Sequence, residues 1–236
     1  MERPKEFAIF GERGTGTGAT VRLIQENLGL ELTKQLGWKH GFPAMMGVSR
    51  RILIVVAFRN GSDWIKSLFN RPYHAAKSMQ RLSFSQFIRE PWRSEVDYPN
   101  WLDLRDVRHV KDNVLQADRH PITGEVFANP FQLRNAKHAA LLGFRNRSVN
   151  YVFARHETLF TNPDACLSQI AQTFDLTRPP ELIYSPRNVH SGKFEQKRKV
   201  LIPDPLPEND LKFMLNEMDE RIEGEIGYDY ARLLAG

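Results

Sequence analysis

Two short stretches of this sequence carry groups suited to holding an anion. The first is Gly11-Glu12-Arg13-Gly14-Thr15-Gly16-Thr17-Gly18. Glycines let backbone N–H groups approach a phosphate, threonine hydroxyls add donors, and Arg13 adds a full charge. The second is Arg59, with Ser67 eight residues further on. An arginine fork and a hydroxyl together suit a phosphate monoester. Gly11 and Gly16 have the spacing of a nucleotide-triphosphate loop, but Thr17 and Gly18 stand where that loop needs lysine and a hydroxyl. The groups that hold the β/γ-phosphates and Mg²⁺ are therefore missing. The dinucleotide spacing GxGxxG is not met either. A glycine-rich turn without a ligand is the plain alternative.

Both stretches need elements that present them. Glu6–Phe10 is a short apolar run that reads as a buried strand, and the glycine loop follows it directly. Val21, Ile24 and Leu28 then fall on one helical face, and Gly29 is a natural stop. Ile52–Phe58 is apolar on both faces, as a central parallel strand requires. After the turn Arg59-Asn60-Gly61, Ser62 is a candidate cap, and Trp64, Ile65, Leu68 and Phe69 form a buried helical stripe. Tyr151–Ala154 reads as another strand, and Asn162-Pro163 as a helix cap with a first-turn proline. Leu133, Ala136, Lys137, Ala140, Leu141 and Phe144 suggest a helix, and Leu211 to Ile222 a last amphipathic one.

Strands alternating with helices predict an α/β fold of three layers, with a central, mostly parallel sheet and a P-loop-like phosphate-binding loop. Ligands in such sheets bind beyond the carboxyl ends of the strands, where the loops after Phe10 and Phe58 both open. The expectation is one domain over 1–236. Its irregular stretch at about 71–130, rich in Arg, Trp, Tyr and Pro, reads as an insertion or acceptor-site lid. Trp92, Tyr98 and Trp101 in that stretch suit an acceptor pocket or plain packing equally well.

These residues resemble the family of sulfotransferases that use 3′-phosphoadenosine 5′-phosphosulfate (PAPS). The segment Phe58 to Ser67 is similar in spacing to the family's 3′-phosphate motif. Ala154-Arg155-His156-Glu157-Thr158-Leu159, followed by Asn162-Pro163, is similar to its later Arg-Tyr-Glu-Asp-Leu segment. The resemblance implies that Arg13, Gly14, Thr15, Gly16, Thr17 and Gly18 bind the 5′-phosphosulfate, and that Arg59 and Ser67 bind the 3′-phosphate. It implies a catalytic base in Trp38-Lys39-His40-Gly41-Phe42-Pro43, namely His40, with Lys39 assisting the leaving oxygen and Glu12 a second candidate base. A late basic loop, Arg187 to Lys193, is similar to the family's third nucleotide clamp, with Arg187 and Lys193 as its cations. The first loop is one residue longer than the family's usual pattern, and the histidine spacing is shifted.

The composition limits the other readings. The chain has 236 residues, 41% hydrophobic and 26% charged, which suits a globular domain with a sizeable core. Its longest apolar run falls far short of the roughly 20 residues that cross a bilayer, and no signal peptide is read at the start. The one cysteine, Cys166, excludes an internal disulfide and a cysteine zinc site, and suits a cytoplasmic location. His74, His109, His120, His138, His156 and His190 lack metal-ligand spacing, so no metal is expected. The net charge is +5, and Arg187–Lys199 alone sets five basic residues against Glu195. That concentration suits an anionic ligand or a solvated basic loop. The expected partner is a small-molecule or saccharide acceptor rather than nucleic acid, for which no recognition motif is present. Two further readings stay open: a non-catalytic nucleotide- or polyanion-binding α/β module, and a divergent P-loop kinase, which the missing lysine disfavours.

Overall fold

Seven consecutive apolar residues, Ile52–Phe58, form strand β3, and all seven are buried. Their β-branched and aromatic side chains suit a strand covered on both faces. The computed structural model describes residues 3–95, 118–183 and 202–230. Within them β3 pairs in parallel with β1 (Glu6–Phe10) and with β4 (Tyr151–Arg155), and β1 pairs in parallel with the two-residue strand β2 (Glu31–Leu32). The result is an α/β fold with a four-stranded sheet, order β2-β1-β3-β4, flanked by helices. Every pairing within this sheet is parallel, as the expectation of a mostly parallel sheet requires.

The chain divides into two compact units, Met1–Asn60 with Ala140–Glu195, and Gly61–Ala139 with Gln196–Gly236. The first contains the sheet. Phe7, Ile9, Leu53, Val55 and Ala57 alternate along β1 and β3 onto one face. There they pack with Leu23, Ile24 and Leu28 of α1 (Thr17–Leu28) and with Leu167, Ile170 and Phe174 of a later helix (Pro163–Phe174). Both helices end as their sequences direct. Gly29 takes the left-handed conformation at the C-cap of α1, with φ 61°. Asn162 caps the later helix by accepting from Ala165 N–H, with Pro163 in its first turn.

The second unit contains α2 (Gly61–Asn70), α3 (Phe84–Phe87) and most of α4 (Pro130–Leu142). Ser62, the candidate cap, lies inside α2, which begins one residue earlier at Gly61. Phe69 of α2 packs edge-on against Phe84 and Phe87, and Phe87 against Trp92. The described part of the 71–130 stretch therefore supplies buried core side chains to this unit. Trp92 among the expected acceptor aromatics is buried here, while Tyr98 and Trp101 lie outside the described residues. A short α5 (Phe144–Arg147) precedes β4, and α6 (His156–Thr161) follows it; the Pro163–Phe174 helix is α7.

The single last helix expected near the C-terminus is two, α8 (Glu208–Glu217) and α9 (Glu220–Ile226). Asp219 breaks it: its carboxylate accepts from Ile222 N–H and starts a new helix there. Among the described residues no helix is long and apolar enough to cross a membrane.

Candidate functional site

Strand order alone marks one place on the sheet. From β1 the chain passes through α1 to β2 on one side, then returns to β3 on the other. Connections leave the carboxyl ends of β1 and β3 in opposite directions, and such a switch point opens a crevice for a ligand. The glycine loop follows β1 there, and Arg59-Asn60 follows β3.

The glycine loop is tightly held. Gly11 N–H donates to the Lys39 carbonyl at 3.0 Å, and His40 Nδ1 lies 2.6 Å from the Gly11 carbonyl. A Cβ at Gly11 would stand 2.6 Å from the Ala57 carbonyl oxygen, so only glycine fits. Thr15 closes the next turn, its N–H and hydroxyl both donating to the Glu12 carbonyl at 3.2 and 2.7 Å. Gly16 is the N-cap of α1, with φ 87°, and has no side chain to cap the helix. Thr17 and Gly18 form the first turn of α1, and Thr17 is buried.

His40 follows Trp38 and Lys39 on a segment pinned to Gly11. A carbonyl oxygen only accepts, so the 2.6 Å contact makes Nδ1 the protonated nitrogen. In the neutral ring Nε2 then carries the lone pair. The ring is half-buried, and Trp38 meets it edge-on with centroids 5.6 Å apart. Lys39 is buried, and its ammonium is pushed down to about 8, by burial first and by the Lys34 charge second. Such a group changes charge near neutral pH.

Arg59 reaches back from the end of β3. Its Nη1 donates to the Gly14 carbonyl at 3.0 Å and ties the second strand end to the glycine loop. The neighbouring Asn60 N–H donates to Glu157 Oε1 at 2.8 Å. On the far side of the loop, a Cβ at Gly16 would lie 2.7 Å from the His156 ring.

Arg13 is enclosed. Its guanidinium pairs with Glu12 at 3.0 Å, lies 4.8 Å from the centre of the Trp38 ring and has no exposed surface. Glu12 Oε1 also accepts from Arg13 N–H at 2.8 Å.

Of the residues singled out from the sequence, Arg13 to Gly18, Lys39, His40 and Arg59 thus meet at one end of the sheet. Ser67 lies in α2 of the second unit, half-buried, with its carbonyl accepting from Arg71 N–H. Arg187 and Lys193 lie outside the described residues. His156 and Glu157 are functional-site neighbours that the sequence reading did not single out for a role. Their signal was available: they directly follow a strand, as the glycine loop and Arg59 do. Comparison of the chain with protein-family models, with curated proteins and with solved structures gave no match in any of the three.

Proposed function

We propose that this protein is a sulfotransferase that moves a sulfuryl group from PAPS to a hydroxyl, on a saccharide or a small molecule. The observation that carries this reading is the meeting of three parts at one switch point: a glycine loop at a helix start, an arginine bonded onto that loop, and a histidine whose tautomer suits a base. The resemblance in the segments around Arg59 and Glu157 supports it from the sequence side.

In this reading the glycine loop is a P-loop-like cradle for the 5′-phosphosulfate. Backbone N–H groups of Gly14, Gly16, Thr17 and Gly18 and the Thr17 hydroxyl face the sulfuryl oxygens and the departing phosphate, while Thr15, whose N–H and hydroxyl are both bonded to the Glu12 carbonyl, shapes the loop. Arg13, enclosed and paired with Glu12, steadies the loop from within the fold. Arg59 holds the 3′-phosphate; the resemblance assigns Ser67 as a hydroxyl donor to it and Arg187 and Lys193 as further nucleotide-binding cations.

The acceptor hydroxyl gives its proton to His40 Nε2 while its oxygen bonds to sulfur. The bond from sulfur to the 5′-phosphate oxygen breaks in line, and the product is 3′-phosphoadenosine 5′-phosphate. Lys39 donates to the leaving oxygen. Its depressed pKa lets the ammonium give and regain a proton near neutral pH.

Calorimetric titration with 3′-phosphoadenosine 5′-phosphate, beside ATP and AMP and without added metal, tests the donor site. The expected result is roughly micromolar binding that needs the 3′-phosphate. Equal binding of ATP, or none of the three, would overturn the reading. His40→Ala should keep nucleotide binding and lose about 10²–10⁴ in turnover. Full turnover in that variant would remove the base assignment. Nucleotide binding by the parent protein without transfer to any acceptor would favour a non-catalytic module instead.

A further inference from the structure

The first turn after β4 touches both ends of the candidate site. Parallel pairing of β3 with β4 sets Phe58 opposite Arg155, so the residues that leave β4 emerge beside those that leave β3. Glu157 uses that register: its Oε1 accepts from Asn60 N–H at 2.8 Å, one residue after Arg59. His156 faces the other loop. Its ring lies tilted against Phe160, with centroids 4.5 Å apart, and occupies the space a Cβ would need at Gly16. Arg59 closes the circuit by donating to the Gly14 carbonyl at 3.0 Å. The contacts run from Gly16 through His156, Glu157, Asn60 and Arg59 back to Gly14, all within one unit.

We propose that His156 and Glu157 form a bracket that sets the separation of the two anion-binding loops, making recognition of the nucleotide depend on both of its phosphate groups. This rests on the sulfotransferase reading of the site. A carboxylate is an unfavourable neighbour for a phosphate unless it is already engaged. Glu157 is engaged with a backbone donor. That bond keeps the Asn60 N–H from taking the phosphate and leaves the Arg59 guanidinium as the group that meets it. His156 meanwhile limits how far Gly16, and with it the start of α1, can shift toward β4. Neither side chain is assigned a bond to the nucleotide: both are positioning residues.

The test is the ratio of affinities for 3′-phosphoadenosine 5′-phosphate and AMP, measured by calorimetry on the full chain. The parent protein should prefer the bisphosphate. Glu157→Ala should lose about tenfold or more of that preference while its AMP affinity stays within about twofold, since a hydrogen bond to a charged group is lost next to Arg59. Glu157→Gln should restore the preference, because the amide oxygen accepts the same N–H. Glu157→Asp, one methylene short, should not. A merely structural role would weaken both nucleotides together. His156→Ala, acting on the 5′-side loop, should weaken both by a similar factor at an unchanged urea midpoint, which separates it from a structural loss; unchanged affinities, or a fall in the midpoint that accounts for the weakening, would remove it from the bracket. If Glu157→Ala does not fold, the Gln and Asp variants decide. Equal preference across all the Glu157 variants that fold would overturn the proposal. A parent protein without any 3′-phosphate preference would instead overturn the sulfotransferase reading on which it stands.

Discussion

In the unit formed by Met1–Asn60 and Ala140–Glu195, the middle of the sheet is dry. The β3 side chains are all apolar, and Glu12, Arg13, Lys39, His40 and Arg59 cluster beyond the ends of β1 and β3. In the unit formed by Gly61–Ala139 and Gln196–Gly236, charged side chains are buried between packed elements. Arg134 grips Glu223 with two bonds of 2.7 and 2.9 Å, and Lys137 meets Asp118 at 2.6 Å. Trp92 also donates to Asp118, at 3.2 Å. The Tyr230 hydroxyl donates to Glu223 at 2.9 Å and accepts from Gly61 N–H at 2.8 Å. Burial first, and the Glu223 charge second, hold that phenol well above its usual range, so it remains a donor. The difference separates two uses of charge. In the second unit the buried carboxylates Glu223 and Asp118 are each shared by a cation and a neutral donor, and these bonds link its elements. In the first unit the charged groups gather where strands end, and there only Arg13, paired with Glu12, has no exposed surface.

The comparison breaks most visibly at Arg134. Arg134→Met leaves the buried Glu223 carboxylate without its main counter-charge and should cost about 3–5 kcal/mol, read as a lower urea midpoint. An unchanged midpoint would mean the ion pair does not hold this unit. Leu53→Ala in the dry sheet should cost about 2–5 kcal/mol by cavity formation, with no change in the pH dependence of stability. A pH-dependent loss there would contradict an apolar origin.

Acid sharpens the contrast. Burial alone would raise the Glu223 carboxyl, but Arg134 and His138 reverse this and hold it well below the usual carboxylate range. Its contribution is present above the ordinary value of 4.5 and is lost as pH falls through the lower native value. Glu223→Gln should therefore flatten the acid limb of the stability profile below about pH 4.5. An acid limb identical to the parent's would assign that dependence to other carboxylates.

The smallest effect is at Lys39, with the opposite sign. Its native value of about 8 lies below the ordinary 10.5, so between these the unfolded chain binds a proton that the native chain has released. Stability should rise with pH across that window, by about 1–3 kcal/mol, the buried ammonium imposing its full cost below pH 8. Lys39→Met should abolish the rise. A rise that survives the substitution would place its origin elsewhere.

Much of the site's framework is legible in local sequence. The apolar run Ile52–Phe58, the strand-then-glycine order at Phe10-Gly11 and the cap at Asn162-Pro163 are written within a few residues each, because pleat, turn and cap chemistry act over that range. β2 was not legible: two residues carry no periodicity, and Glu31 and Leu32 form a strand only because β1 offers them its edge. Lys137 fits a helical stripe in the sequence, yet nothing local shows that its ammonium meets Asp118, 19 residues away.

The candidate site divides in the same way. Residue types and spacing by themselves marked the glycine loop after β1 and Arg59, just past β3, as candidates for an anion, and the family resemblance added His40 as a candidate base. Only the tertiary structure decided that Arg13 turns inward to Glu12, that the Gly11 carbonyl selects the His40 tautomer, and that Glu157 holds Asn60 across 97 positions of sequence. The reason is physical. Backbone preference and capping are settled between near neighbours, whereas the partner of a buried charge or a ring nitrogen is whichever group the packed sheet brings within hydrogen-bonding distance.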